Sequence, residues 1–116
     1  MVAMTIYQKP TCATCRTVMK MLQEAGVDFE SVNYYIDPIP KKKLKELLKK
    51  MGLPAKEILR KSEPIFKELG PGEKDLPENG LINLMVRYPD LLQRPIVEKG
   101  AKAILARPPE RLREIL

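Results

Sequence analysis

A strand-like apolar run followed at once by a pair of cysteines constrains this chain more than any other feature. Residues Val2–Tyr7 are largely apolar, and Cys12 and Cys15 lie in the stretch Pro-Thr-Cys-Ala-Thr-Cys-Arg that begins at Pro10. The apolar run predicts a strand, the Pro-Thr pair a turn, and the cysteines the first turn of a helix. The sequence therefore predicts that both thiols lie where a strand leads into a helix.

This position favours ionisation of the first thiol. The backbone N–H groups at a helix start have no intrahelical acceptor, and the helix macrodipole adds partial positive charge there. Cys-x-x-Cys sites and helix starts can lower a thiol pKa from about 8.5 to between roughly 3.5 and 7.5. Arg16 adds positive charge if its side chain turns back toward the sulfur. We interpret Cys12 as an activated nucleophile and Cys15 as a candidate partner thiol.

Other uses of two cysteines fit the sequence less well. Two cysteines cannot make a four-thiolate zinc site, and without histidine no Cys/His site is possible, so no metal is expected. Buried cysteines can also act simply as small apolar residues. The place of these two at a strand-to-helix turn, where functional residues concentrate, favours redox or nucleophilic chemistry instead.

Length and composition predict one folded domain spanning residues 1–116. A chain of 116 residues can bury a sufficient core, and its 44% hydrophobic content is that of a folded protein. Neither a secretory leader nor an apolar run near the ~20 residues of a membrane helix is evident, so we expect a cytoplasmic protein without membrane association. In the reducing cytoplasm, a close cysteine pair is typical of catalysis or sensing.

The net charge of +6 suits an anionic ligand or partner. Six of the positive charges belong to one amphipathic helix, where a solvated face accounts for them: Lys41, Lys42, Lys43, Lys45, Lys49 and Lys50. Because aromatic residues are few and no glycine-rich recognition pattern occurs, nucleic acid is not expected as a partner.

The order of the predicted elements is that of a thioredoxin-type layout. Two strands, Val2–Tyr7 and Val27–Tyr35, enclose the cysteine-bearing helix, and this crossover implies that the strands are parallel. A helical insertion follows at about residues 38–90, and a hairpin then turns at Lys99-Gly100 before a closing α-helix. The order βαβ, helical insertion, ββα predicts an α/β fold with a mixed sheet of about four strands flanked by helices.

Three arginines stand next to chain-breaking or turn-forming residues. Arg60 ends a short helical segment, whereas Arg94 and Arg107 precede Pro95 and Pro108. A residue before proline is held extended, which fixes where these two side chains leave the backbone. Guanidinium groups are planar and bind tetrahedral oxyanions through paired hydrogen bonds. Spacing alone does not show that the three arginines converge, and three separate surface arginines remain the alternative.

Four segments together resemble the ArsC-type arsenate reductases, which share a thioredoxin-fold superfamily with the Spx-type redox regulators. They occur in matching order and separation from about residue 4 to the C-terminus: Cys12-Ala13-Thr14-Cys15-Arg16, Leu59-Arg60-Lys61, Leu92-Gln93-Arg94-Pro95-Ile96-Val97 and Arg107-Pro108-Pro109-Glu110. The resemblance implies that Cys12 attacks arsenate and that Arg60, Arg94 and Arg107 hold the oxyanion. It also implies that Pro95 is the family's cis-proline.

Two departures from the reductase pattern keep the mechanism open. Glutaredoxin-coupled reductases often carry serine where this chain has Cys15, and several carry histidine where it has Gln8. Cys15 matches the Cys-x-x-Cys switch of the Spx-type regulators, whereas Arg107 matches the reductases. Without that histidine, Arg16 and the helix start remain to stabilise the thiolate, and we count Arg16 among the substrate-binding candidates.

We therefore expect a monomeric, thiol-dependent arsenate reductase without a bound cofactor, acting on arsenate or another small oxyanion. An external thiol donor, glutaredoxin with glutathione or thioredoxin, would supply the electrons, and either glutathione or Cys15 would resolve the covalent intermediate on Cys12. Two alternatives stay open. One is a Spx-type regulator that binds RNA polymerase and uses the cysteines as a switch; the other is a general thiol–disulfide oxidoreductase without an oxyanion substrate.

Overall fold

The computed structural model describes residues 4–69 and 76–116, which form two compact units. The first unit comprises the chain up to Asp37 together with Arg94–Leu116, and the second comprises Pro38–Gln93. The strands of the sheet all belong to the first unit, whereas the regular elements described in the second are helices and one isolated bridge. The segment predicted as a helical insertion, at about residues 38–90, falls within the second unit.

A four-stranded mixed sheet forms the frame of the first unit. Its strands, in the spatial order β2-β1-β3-β4, are β1 (Met4–Gln8), β2 (Phe29–Asn33), β3 (Ile96–Lys99) and β4 (Lys102–Leu105). β2 runs parallel to β1, while β3 is antiparallel to both β1 and β4. The predicted α/β fold with a mixed sheet is confirmed. Val2 and Ala3, the start of the predicted first strand, lie outside the described residues.

Strand β2 is shorter than the predicted Val27–Tyr35 because Asn33 turns the chain. The Asn33 side-chain oxygen accepts a hydrogen bond from the Tyr35 N–H at 3.1 Å. Its carbonyl oxygen accepts from the N–H groups of Ile36 and Asp37 at 3.0 and 2.9 Å. Asparagine favours turns closed by its own side chain. The two tyrosines that the sequence places at the end of the strand therefore lie in a turn at its carboxyl end.

Helix α1 (Ala13–Glu24) connects the two parallel strands and packs on the sheet. Its buried residues are Cys15, Val18 and Leu22, which lie three and four positions apart on one face of the helix. Gly26 follows the helix with φ of 69°, in the left-handed region that glycine adopts without steric cost. Among the described residues of this unit, one apolar cluster joins Met4, Ile6, Val18, Leu22, Val97, Ala106, Leu112 and Ile115.

Among residues 4–69 and 76–116, the remaining helices are shorter than α1. In the second unit they are α2 (Lys41–Met51), α3 (Pro64–Leu69), α4 (Glu78–Arg87) and the 3-10 helices Ala55–Ile58 and Pro89–Leu91. The closing α-helix predicted in the first unit is instead a 3-10 helix, Pro109–Glu114, which still buries Leu112. Over the described ranges, no helix combines the length and the apolar composition that crossing a bilayer requires.

Candidate active site

The Cys12 thiol occupies the N-cap position of α1, as the sequence predicts. Cys12 has an extended backbone, with φ of −82° and ψ of 123°, and its Sγ accepts a hydrogen bond from the Cys15 N–H at 3.3 Å. The Cys12 N–H donates to the Lys9 carbonyl oxygen at 2.9 Å, which closes the turn between β1 and α1. A helix N-terminal N–H thus points at the sulfur, where it favours the thiolate.

Cys12 is set up to ionise near neutral pH. Burial by itself raises the pKa of the thiol, but hydrogen bonds from the side chain and backbone of Cys15, followed by those from Arg94 and its positive charge, outweigh burial. The pKa falls from 9.0 to about 7. The cation that lowers this pKa is Arg94, a residue distant in sequence; the neighbouring Arg16 is exposed, and its N–H donates to the Cys12 carbonyl oxygen at 3.1 Å.

Cys15 has the opposite electrostatic character. Its side chain is completely buried, and burial raises the pKa of the thiol to about 12, with a backbone hydrogen bond from Lys9 lowering it and the Cys12 sulfur raising it further. Both thiols are free. At neutral pH, Cys15 therefore stays protonated and serves as a hydrogen-bond donor to the Cys12 thiolate.

Arg94 brings a buried positive charge to the thiolate. It lies directly before β3 after leaving the second unit, and only 5% of its surface is exposed. Burial disfavours its charged form, but the nearby Tyr34, Tyr35 and Cys12 reverse this effect and raise the pKa of the guanidinium. The Arg94–Pro95 peptide bond is cis. Arg94 thus stays charged beside the thiolate despite its burial.

Arg107 lies against Arg94 because of the register of the hairpin. β3 and β4 pair Ile96 with Leu105, so the residues two positions outside this pair leave the sheet side by side. The Arg107 Nη1 donates to the Arg94 carbonyl oxygen at 3.1 Å. The Arg107–Pro108 peptide bond is also cis. The hairpin therefore brings together two of the three predicted arginines.

The third predicted arginine, Arg60, belongs to the second unit. Its Nε forms an ion pair with Oε1 of Glu63 at 2.8 Å, and its backbone N–H donates to the Leu91 carbonyl oxygen. The ion pair holds the Nε of the guanidinium, and the two terminal nitrogens carry further N–H donors. Its part in the site stays a prediction from the resemblance.

Two tyrosines that the sequence analysis did not select lie in the turn after β2. Tyr34 is only 2% exposed, its ring centroid lies 5.1 Å from that of Tyr35, and the Lys9 Nζ lies 4.8 Å from the centroid of the Tyr35 ring. The parallel register, which pairs Gln8 with Asn33, carries this turn to the edge of the sheet from which the Cys12 loop leaves. A prediction of the strand order would have placed these tyrosines near the Cys12 loop.

The arrangement suits nucleophilic attack on an anion. A thiolate repels an approaching oxyanion, and a buried guanidinium beside it offsets that repulsion and supplies directed hydrogen-bond donors. Cys12 and Arg94 provide this combination, and Arg107 contacts Arg94. The protonated Cys15 lies next to the nucleophile, where a second thiol is useful for redox chemistry.

Comparisons with known proteins agree with this geometry. The chain is 40% identical over 112 residues to uncharacterized protein YfgD of Escherichia coli K12, covering 96% of this chain and 94% of that protein. It is 34% identical over 112 residues to an arsenate reductase of the same strain, covering 97% and 79%. The solved arsenate reductase from Vibrio cholerae matches with a TM-score of 0.94 and 31% identity, over 99% of this chain and 98% of that one.

The match extends over the whole candidate site. The model of the ArsC family covers residues 7–115, which include the Cys12 loop, the turn with Tyr34, and both Arg-Pro segments. The resemblance drawn from four short segments of sequence is thereby confirmed across nearly the full chain. From the first strand to the closing 3-10 helix, this chain belongs to the ArsC family.

Proposed function

We propose that this ArsC-family protein is a thiol-dependent arsenate reductase that converts arsenate to arsenite. The observation that supports it most is the Cys12 thiol, whose pKa of about 7 makes roughly half of it thiolate at neutral pH, beside the buried positive charge of Arg94. A nucleophilic thiolate next to a fixed cation matches the needs of attack on a tetrahedral oxyanion. The arsenate reductases among its relatives support the same substrate.

The first chemical step forms a covalent intermediate on Cys12. The thiolate attacks As(V), an S–As bond forms, and an As–OH bond breaks as that hydroxyl takes up one proton and leaves as water. Arg94 and Arg107 neutralise the oxyanion as the thiolate approaches and stabilise the charge that develops in the transition state. We extend the anion site to Arg60 and Arg16, for which the family resemblance is the argument.

The second step is the reduction itself. A second thiol attacks the Cys12 sulfur, an S–S bond forms, and the S–As bond breaks with its electron pair passing to arsenic. As(V) thereby becomes As(III), and arsenite leaves. Cys15 and glutathione are the two candidate resolving thiols. Cys15 lies next to the Cys12 sulfur. Because burial raises the pKa of its thiol, Cys15 must give up its proton as it attacks.

An external donor then returns the thiols to the reduced state. Glutaredoxin with glutathione would reduce a mixed disulfide on Cys12, and thioredoxin would reduce a disulfide between Cys12 and Cys15. Both donors belong to the reducing cytoplasm, where we place the enzyme. The cycle needs no bound cofactor, and each step uses one chain, so we propose that the protein acts as a monomer.

Arsenate-dependent oxidation of NADPH tests this function directly. The protein is assayed with thioredoxin and thioredoxin reductase, and in parallel with glutathione, glutaredoxin and glutathione reductase. We expect turnover in at least one system and none with Cys12→Ser in either. Absence of arsenate-dependent oxidation in both systems, with a correctly folded protein, would show that arsenate is not the substrate.

The Cys-x-x-Cys pair favours a second candidate, a general thiol–disulfide oxidoreductase. Its substrate would be a mixed disulfide, and the oxyanion site would have no role. For this second candidate, replacing Arg107 by alanine should leave reduction of a glutathione-modified peptide intact. For an arsenate reductase, the same replacement should lower arsenate reduction. A Spx-type regulator would instead bind an RNA polymerase subunit in a manner sensitive to oxidation, without turning over arsenate.

A further inference from the structure

We propose that the hydroxyl of Tyr34 is a further hydrogen-bond donor to the oxyanion bound beside Cys12 and Arg94. The inference rests on the proposed function, since it assigns a role within the same anion site. Tyr34 lies outside the four segments that resemble the ArsC family and outside the residues that the sequence selects. Its burial, its neighbours and its hydroxyl carry the argument.

The Tyr34 hydroxyl is buried, and its proton has no acceptor. The residue is 2% exposed, and the described residues place no acceptor at hydrogen-bonding distance and angle from its oxygen. A buried hydroxyl that makes no hydrogen bond has given up its water without compensation, which is costly. Such groups in folded proteins call for an explanation, and a ligand that supplies the missing acceptor is one.

The neighbours of this hydroxyl are the groups of the anion site. Burial raises the pKa of Tyr34, the Arg94 guanidinium lowers it, and the Cys15 and Cys12 sulfurs raise it, so the hydroxyl lies within electrostatic reach of all three. The parallel pairing of Gln8 with Asn33 places the turn after β2 beside the turn that leads to Cys12, and this explains the proximity.

The chemistry of these neighbours selects an anion as the missing acceptor. The guanidinium of Arg94 has donors and no acceptor, so it cannot take the hydroxyl proton, and its charge repels cations. An oxyanion held by Arg94 offers several oxygen acceptors. A neutral tyrosine, whose ionisation burial opposes, can donate one hydrogen bond to such an oxygen without adding negative charge.

The test measures how well arsenate protects Cys12 from alkylation by iodoacetamide. The variant Tyr34→Phe removes the hydroxyl and keeps the ring. Loss of a hydrogen bond to a charged group should raise the arsenate concentration for half-protection about tenfold or more. The alkylation rate without arsenate should stay close to that of the wild type, because the Cys15 hydrogen bonds and Arg94 remain.

A matched control is Tyr7→Phe. Tyr7 is also buried, but its hydroxyl donates to Oε1 of Glu98 at 3.0 Å within the sheet. We expect Tyr7→Phe to lower the free energy of unfolding in urea and to leave arsenate protection unchanged. Tyr34→Phe should leave the free energy of unfolding close to that of the wild type and weaken arsenate protection, because the hydroxyl proton has no acceptor in the free protein.

The outcomes separate this inference from the proposed function. If arsenate protects the wild type and Tyr34→Phe at the same concentrations, the assignment of Tyr34 is wrong while the anion site stands. An equal loss of protection in both tyrosine variants would reveal a structural effect and also overturn the assignment. If arsenate fails to protect the wild type, the anion site itself is wrong, and the role of Tyr34 falls with it.

Discussion

The Arg107 guanidinium donates a hydrogen bond from Nη1 to the backbone carbonyl oxygen of Arg94 at 3.1 Å. One predicted substrate-binding residue thus holds the main chain of another. A guanidinium has five N–H donors, and this bond occupies one of them, so Arg107 can anchor Arg94 and still offer donors to an anion. The backbone of Arg94, whose charge lies beside the Cys12 thiolate, is therefore held in part by Arg107.

We expect Arg94→Lys and Arg107→Lys each to lower kcat/KM for arsenate about ten- to hundredfold. Lysine keeps the positive charge but lacks the planar, two-pronged donor. The coupled NADPH assay measures the effect, and urea unfolding checks the fold. Arg111→Lys is the control, because the Arg111 side chain is 40% exposed and its Nε pairs with Glu114 at 3.1 Å. Wild-type kcat/KM in both site variants would contradict the oxyanion site.

The second prediction concerns the ionisation of Cys12. The rate of alkylation by iodoacetamide should rise with pH around a midpoint of about 7 in the wild type. Cys15→Ala should move the midpoint upward, because it removes the side-chain donor, whereas Cys15→Ser keeps a donor and should move it less. A midpoint at the ordinary thiol value near 9.0 in the wild type would refute the assignment of Cys12 as an activated nucleophile.

The same lowered pKa makes the stability depend on pH. The folded pKa of about 7 lies below the unfolded value of 9.0, so the folded state binds fewer protons between them. The stabilisation from the thiolate is present above 9.0 and is lost as the pH falls through about 7. Because Cys12 is partly exposed, solvent screening should limit the gain to about 1 kcal/mol.

Urea unfolding of the wild type and of Cys12→Ser at pH 6 to 9 measures this effect, with an approximate precision of a few tenths of a kcal/mol. As the pH rises, the unfolding free energy of the wild type should increase relative to that of Cys12→Ser. Serine does not titrate in this range, so the variant supplies the baseline. A constant difference across the range would mean that ionisation of Cys12 is not coupled to folding.

The fourth prediction is that mild oxidation joins Cys12 and Cys15 in a disulfide. The two residues are three positions apart at a helix start, and the N–H of one contacts the sulfur of the other. Intact mass after peroxide treatment, with and without alkylation, detects the loss of two hydrogen atoms, which peroxide takes up as it becomes water, and the loss of both alkylatable thiols. Thioredoxin should reduce this bond faster than glutathione, since a dithiol completes the exchange within one encounter.

The variant Cys15→Ser separates the two electron donors. It should abolish arsenate turnover coupled to thioredoxin and spare turnover coupled to glutathione and glutaredoxin, because only the first route needs the internal disulfide. If thioredoxin-coupled turnover is unchanged, or if both thiols stay free after oxidation, Cys15 takes no part in resolving the intermediate. Its role would then be limited to stabilising the Cys12 thiolate through a hydrogen bond.

The sequence predicts the parts of this protein that depend on local pattern. The position of Cys12 before a helix follows from the strand, the Pro-Thr turn and the helical stripe, and the structure has it at the N-cap. The hairpin turn at Gly100 is likewise found where predicted. Local signals suffice here because each feature is decided within a few residues.

Other features depend on contacts that spacing does not encode. The burial of Tyr34 arises from the turn at Asn33 and from the pairing of β2 with β1, so strand propensity alone misassigned it. The closing segment Pro109–Glu114 forms a 3-10 helix because its backbone hydrogen bonds span three residues, as from the Arg111 N–H to the Pro108 carbonyl oxygen. Arg94, rather than the adjacent Arg16, is the cation at the thiolate, because the order of strands brings distant residues together.

In the hairpin of β3 and β4, the position of the two arginines does not depend on the length of the turn that joins the strands. Arg94 and Arg107 leave the open end of the hairpin, whereas Gly100 lies at the closed end. Extra residues inserted at the closed end leave the distance between the arginines unchanged as long as the pairing of Ile96 with Leu105 is kept. A slip of that pairing would instead pull the arginines apart, so the closed end is a place where a reporter peptide can be carried without disturbing the anion site.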